Sequence, residues 1–263
     1  MIDIGVNLTN KRFDKDVKDV ISRAYEGGVQ HLLVTGTSII ESQKALALCK
    51  EYPKHLFCTA GVHPHDADNV PSDYLNTLQL LANEKSVKAI GECGLDFNRN
   101  FSTPKNQKNV FTEQVKLAQK LQLPLFLHQR DAFSEWFNIL TPYFSDIPYM
   151  VSHCFTGTEK ELQLCLEADM YIGITGWICD ERRGQSLRQI VRQIPLNRLM
   201  IETDAPYLTP RTIRPKPKSS RNEPSYLKYI VQEIAQLTDH SELDIMKYTR
   251  KNTQRVFGLG DLA

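Results

Sequence analysis

Charge of one sign is what this chain lacks first: 32 Lys and Arg stand against 31 Asp and Glu, for a net charge of +1. No global field therefore draws it to nucleic acid or to a membrane surface, and any such attraction has to come from a local patch. Long apolar runs are missing as well. No window approaches the roughly 18 apolar residues that a membrane span needs. Nor does a basic stretch precede an apolar run at the N-terminus, so no signal peptide is expected. The six cysteines form no CxxC pair and lie mostly inside apolar runs, which suits reduced, buried thiols. Linkers and low-complexity segments are absent, and the first strand–helix turn lacks GxGxxG, which weakens an open doubly wound sheet. The expectation is a soluble, cytoplasmic protein folded as a single domain over residues 1–263.

What is present is a repeat of short, β-rich apolar runs. They are IDIGV (2–6), HLLVT (31–35), LFCTAG (56–61), KAIGE (88–92), PLFLH (124–128), PYMVSH (148–153), MYIGI (170–174) and LMIET (199–203). Their spacing of about 28 residues is what a strand plus a crossover helix requires. The segments between them carry helical period. In FDKDVKDVISRAYEGG, for instance, Val17, Val20, Ile21 and Ala24 form one apolar stripe that Gly27 and Gly28 stop. Eight such units, with two further helices after the eighth strand, predict an α/β fold of the (β/α)8 TIM-barrel type.

In such a barrel, function sits on the loops at the C-terminal ends of the strands. Read that way, strand four ends in Glu92, strand five in His128, strand six in His153 and strand eight in Asp204. Imidazole and carboxylate converging from four strand tips suit a hydrolytic divalent metal. Glu202 lies two residues before Asp204, so alternation places both on one face of the strand, with Glu202 one layer deeper. In GVHPHD, Pro64 interrupts the strand between His63 and His65, which favours a substrate-contacting His63 over a two-histidine metal site.

Directly after strand eight comes PRTIRPKPKSSRNEP, in which Arg211, Arg214, Lys216, Lys218 and Arg221 occur with no acid until Glu223. Three of its prolines stiffen it into an extended loop. A cationic loop beside a metal site points to a polyanionic substrate, with Arg211 and Arg214 as phosphate contacts. Trp177, Phe97, Phe155 and Tyr207, near strand ends, are either base-stacking residues or loop anchors.

Four phrases in fixed order, GECGLDF, PLFLHQRDA, VSHCFTGT and IETDAPYLTP, resemble the TatD family of metal-dependent nucleases within the amidohydrolase-like barrels. The likeness runs from DIGVNLT in the first strand to RKNTQRVFG near the C-terminus. It implies phosphodiester hydrolysis, with 3′–5′ exonuclease action on single-stranded DNA and RNA. By motif it implies Glu92, His128, His153 and Asp204 as metal ligands, with catalysis by Asp204, Glu202 and Glu92. His63 would lie beside the substrate phosphate. The metal implied is Mg²⁺, with Mn²⁺ or Zn²⁺ as other divalent occupants. No membrane partner is expected, and a monomer is the default.

Many relatives open on a strand ending in D-x-H-x-H. Aligned on Asp3, those histidine positions are Gly5 and Asn7 here. Glycine offers no ligand and asparagine only a neutral carbonyl, so one metal firmly held by Glu92, His128 and His153 is expected, with Asn7 facing the substrate side. Two other readings use the same residues. One is a different hydrolase on the same barrel, such as an aminoacyl-tRNA deacylase, a deaminase or a lactonase. The other is a nucleic-acid-binding protein whose metal site has decayed.

Overall fold

In the computed structural model, which describes residues 1–260, eight parallel strands form one sheet in chain order β1 to β8, a nearly closed barrel with helices between the strands. The chain divides into two compact units, Thr35–His153 and Met1–Val34 with the chain from Cys154 onward. Among the described residues no helix is long and apolar enough to cross a membrane.

The Thr35–His153 unit holds β3 (Leu56–Ala60), β4 (Val87–Asp96), β5 (Leu125–Arg130) and β6 (Met150–Ser152), with α2 (Ile39–Glu51), α3 (Tyr74–Ala82), α4 (Pro104–Leu121) and α5 (Phe133–Leu140). Its strands are covered on both faces, as parallel sheets require. Leu125, Phe126, Trp136 and Phe111 are among its fully buried side chains. Strand four runs four residues past the expected end at Glu92, and strand five runs two past His128. The parallel ladder continues through Cys93–Leu127, Gly94–His128, Leu95–Gln129 and Asp96–Arg130. Gly91 permits the twist there. Its φ of +138° disfavours any side chain, and a Cβ would collide with the Phe126 carbonyl oxygen.

Helix α4 begins at a Thr103 N-cap followed by Pro104, a start signal written in the sequence. Two of its buried glutamines, seven residues apart on one face, hold the ends of neighbouring strands. Gln107 accepts from the Asp96 amide at 2.9 Å and donates to the Asp96 and Ser102 carbonyls. Gln114 accepts from the Val62 amide at 2.8 Å and donates to the Val62 carbonyl at 3.0 Å.

The other unit holds β1 (Ile2–Val6), α1 (Val17–Glu26), β2 (His31–Val34), α6 (Glu159–Glu167), β7 (Tyr171–Ile174), α7 (Gln185–Ile190), β8 (Leu199–Ile201), α8 (Leu227–Leu237) and α9 (Glu242–Phe257). A parallel bridge between Val6 and Ala205 joins β1 to the segment after β8. The Asp204 amide donates to the Gly5 carbonyl, and the Asn7 amide to the Ala205 carbonyl, each at 2.8 Å. Strand eight stops at Ile201, two residues short of the expected Thr203. Asp204 then takes a left-handed φ of +52°. Strand alternation therefore does not carry through Glu202 and Asp204, and the expectation that they share one strand face is corrected. The Thr203 amide and hydroxyl turn instead to the buried Asp3 carboxylate.

An ion-pair cluster ties the loop after β8 to α1. Arg221 donates to both Asp16 oxygens at 2.7 Å and to Glu223 at 2.8 Å, while Arg23 reaches Glu223 and Asp16. The Arg221 bonds first, and Arg23 after them, hold the Asp16 carboxyl down at about 2 against the burial that would raise it.

Two outcomes follow. Replacing Gln114 with Leu strands a buried amide and a buried carbonyl at Val62, and should cost about 2–4 kcal/mol in urea unfolding. The Asp16 pKa is depressed, so its stabilising contribution is complete above the unfolded value near 4 and disappears as the pH falls towards 2. Asp16→Asn should therefore lose about 1 kcal/mol at neutral pH, given solvent screening of a partly exposed pair. The gap to the wild type should close between pH 4 and pH 2.

Candidate metal centre and nucleic-acid face

Four histidines and two acids meet at the C-terminal ends of β3 to β6. Glu92 enters from β4, with its backbone amide fixed to the Gly36 carbonyl at 2.8 Å. Its Oε1 lies 2.9 Å from His128 Nδ1, 3.4 Å from His63 Nε2 and 3.6 Å from His153 Nε2. Burial alone would raise the Glu92 pKa, but His63, His153 and His128 hold it well below the usual carboxylate range. The carboxylate is thus ionised at the centre of three imidazoles.

His63 caps the turn at Pro64–Asn69, and its Nδ1 accepts the His65 amide at 3.1 Å. A neutral ring so bonded carries its proton on Nε2, the nitrogen that faces Glu92. Burial pushes the His63 pKa down to about 4, so the ring is neutral at physiological pH. His63 is therefore better suited to donate a hydrogen bond than to ligate a metal. His128 is the reverse case. Burial opposes its charged form, but Asp96 and Glu92 outweigh that and raise its pKa. Its Nε2 is buried without a hydrogen bond, 3.6 Å from Asp96 Oδ2.

Donor atoms of His63, Glu92 and His128 lie within 4.8 Å of one another. With His63 kept as a hydrogen-bond donor, Glu92, His128 and His153 remain as one ionised carboxylate and two imidazoles, a donor set that fits a divalent metal. Outside the sequence expectation are Asp96 and His65. Asp96 Oδ2 binds His65 Nε2 at 2.8 Å, and Asp96 approaches His128 from the side away from Glu92. This is the carboxylate–histidine support that metal sites use to orient a ligand. Asp96 was hidden because strand four extends past Glu92. Asp96 lies four positions beyond Glu92 along the ladder, and both are buried.

At the C-terminal ends of β1, β7 and β8 a second polar set assembles. Asn7 Nδ2 donates to Asp204 Oδ1 at 2.9 Å and to the Ala205 carbonyl at 3.3 Å. Asn7, expected to face substrate, thus orients an acid. Glu202 is fully buried, and its Oε1 accepts the Cys154 amide at 2.6 Å. Gly173 makes room for it, since a Cβ there would fall on the same carboxylate oxygen.

The cationic loop separates into two classes. Arg221 is committed to Asp16 and Glu223 and is removed from the substrate-facing set. Arg211 is half exposed and touches the buried Asp180 at 3.4 Å. Arg214 is exposed and caps the Arg211 and Ile213 carbonyls. Asp180 also binds Arg183, which lies over the Trp177 ring at 4.6 Å. Phe155 is buried and serves as an anchor, while Tyr207 is exposed with its hydroxyl bonded to Asn10.

A family model described as TatD-related DNase matches residues 2–258. The chain is 51% identical over 259 residues to a protein of Citrobacter rodentium named 3′-5′ ssDNA/RNA exonuclease TatD, covering 98% of each. Among solved structures, a TatD homologue of Escherichia coli superposes with a TM-score of 0.89 at 26% identity, over 98% of both chains. A TatD-family hydrolase of Entamoeba histolytica gives the same TM-score at 29% identity, over 98% of this chain and 97% of the other. With a match that spans nearly every strand and helix described above, this chain belongs to the family of TatD-related DNases.

Proposed function

We propose that this chain is a metal-dependent hydrolase of phosphodiester bonds, a 3′–5′ exonuclease acting on single-stranded DNA and RNA. The observation that carries the reading is the ionised Glu92 carboxylate with three imidazoles around one oxygen. Its support in kind is the half-identical relatives bearing that activity in their names, matched over 98% and 100% of their length.

In this reading Glu92, His128 and His153 hold one divalent ion, Mg²⁺ in the cell, with Asp204 completing the set. Imidazole donors accept Mn²⁺ or Zn²⁺ as well, so those ions belong in any test. When bound, the ion would polarise a phosphoryl oxygen and lower the pKa of the attacking water. The remaining work falls to side chains. Asp204, steered by the Asn7 amide, takes a proton from water as its oxygen attacks phosphorus. The bond from phosphorus to the leaving sugar oxygen breaks, and that oxygen takes a proton from solvent. His63 donates a hydrogen bond from its Nε2–H to a non-bridging phosphate oxygen and keeps its proton. Glu202 fixes the backbone at Cys154, next in sequence to His153. Arg211 and Arg214 attract the phosphates of the incoming strand. The protein acts as a cytoplasmic monomer on a single strand.

Purified protein should shorten end-labelled single-stranded DNA stepwise with Mg²⁺ or Mn²⁺, leave a duplex control largely intact, and stop in EDTA. His128→Ala should lower the rate by about 100-fold or more and weaken metal binding measured by calorimetry. Asn7→Ala, which unsteers Asp204 but removes no ligand, should cost roughly tenfold in activity and leave a smaller loss of metal binding than His128→Ala. Binding of the strand without cleavage under any metal would sink the reading.

A further inference from the structure

Between β4 and α4 the chain presents Asn98-Arg99-Asn100-Phe101 to solvent, and Phe101 is 65% exposed. The loop that displays it is tightly held. Asp96 Oδ1 accepts the amides of Asn98 and Arg99 at 3.0 and 2.8 Å. The Asn100 side chain closes the turn on the Phe97 carbonyl at 2.7 Å, and Ser102 donates to the His65 carbonyl at 2.8 Å. Asp68 accepts from the Thr103 amide and from Asn106, fixing the start of α4 beside it. A large aromatic ring is thus fixed in the open by hydrogen bonds on both sides.

Its position relative to the metal centre gives it a use. Ring centroids run from His128 to His63 at 4.4 Å, from His63 to His65 at 4.2 Å, and from His65 to Phe101 at 4.7 Å. The last contact is edge-to-face, with 79° between the planes, which leaves much of the ring uncovered. The Arg99 guanidinium lies 5.9 Å from the same centroid. An aromatic face with an arginine beside it is how single strands are held without base preference, because every base has a π-face. A protein-docking patch would be wider and apolar, whereas Phe101 stands alone among Asn, Arg and Ser.

We propose that Phe101, flanked by Arg99, is the stacking platform for the nucleobase next to the scissile phosphate. This inference rests on the exonuclease reading and names the substrate feature that the site grips: a base freed from its partner. A paired terminal base, stacked in a duplex, would have to unpair before it could reach the ring.

The test is a cycle of protein and oligonucleotide changes. Binding of 5′-labelled single-stranded DNA is measured by fluorescence anisotropy in EDTA for wild type, Phe101→Ala and Phe101→Trp. The intact oligonucleotide is compared with versions abasic at the 3′-terminal or the penultimate nucleotide. Phe101→Ala should weaken binding of the intact strand by about tenfold, the scale of one base–aromatic stack. Against one of the two abasic strands it should cost little more, because the partner of the ring is already gone. Phe101→Trp should retain affinity. Thermal unfolding should be unchanged in both variants, since the ring is exposed. With Mg²⁺, the Phe101→Ala defect should appear in KM rather than kcat. Equal losses on intact and abasic strands, or no loss at all, would overturn the inference. Wild-type cleavage of the intact strand, run in the same series, separates the two claims. Cleavage without coupling removes only the stacking platform, and no cleavage under any metal removes the exonuclease reading with it.

Discussion

A buried carboxylate keeps its charge only where donors or positive groups surround it, and Glu92 is held in that state by imidazoles from three neighbouring strand ends. The rest of the Thr35–His153 unit can be understood as keeping those rings in place. His63 is fixed by a backbone amide on Nδ1, which decides its tautomer and leaves Nε2 as the reactive edge. Asp96 supports His65 and flanks His128. Histidines with identical side chains thereby take different parts: one raised in pKa between two carboxylates, one kept neutral by burial.

Positioning to this tolerance needs backbone that does not drift. Helix α4 supplies part of it through Gln107 and Gln114, which bond to strand-end backbone at Asp96 and Val62. Each glutamine satisfies a buried amide and a buried carbonyl with one side chain, so helix packing and the register of the site loops are the same interaction. The same anchoring at Asp96 fixes the loop that carries Arg99 and Phe101.

In the other unit, the cations of the loop after β8 divide between part-buried ion pairs and solvent. Arg221 is locked between Asp16 and Glu223, and Arg23 shares both acids. That clamp ties down the end of the proline-rich loop, so Arg211 and Arg214 are carried on a segment with a fixed base. Asn7 belongs to the same logic. Its side-chain amide orients the Asp204 carboxylate.

By itself the sequence determined the barrel, because eight apolar runs at regular spacing leave little else for alternating strands and helices to build. It also singled out Glu92, His128, His153, Glu202 and Asp204 as candidates, since each directly ends or follows an apolar run at a strand tip. Tertiary structure alone decided how long the strands run and what the polar residues do. Strand four reaches Asp96 because β5 pairs with it to Arg130, a ladder that neither segment reveals alone. Strand eight ends early because the backbone after Ile201 turns to Asp3 and Gly5, about two hundred residues away in sequence. Arg211 and Arg221 look equivalent in a string of cations. Only the fold shows that one meets Asp16, about two hundred residues away, while the other remains half open to solvent. Ionic partners and proton positions depend on distances between strands and loops far apart in sequence, and local pattern carries no record of those distances.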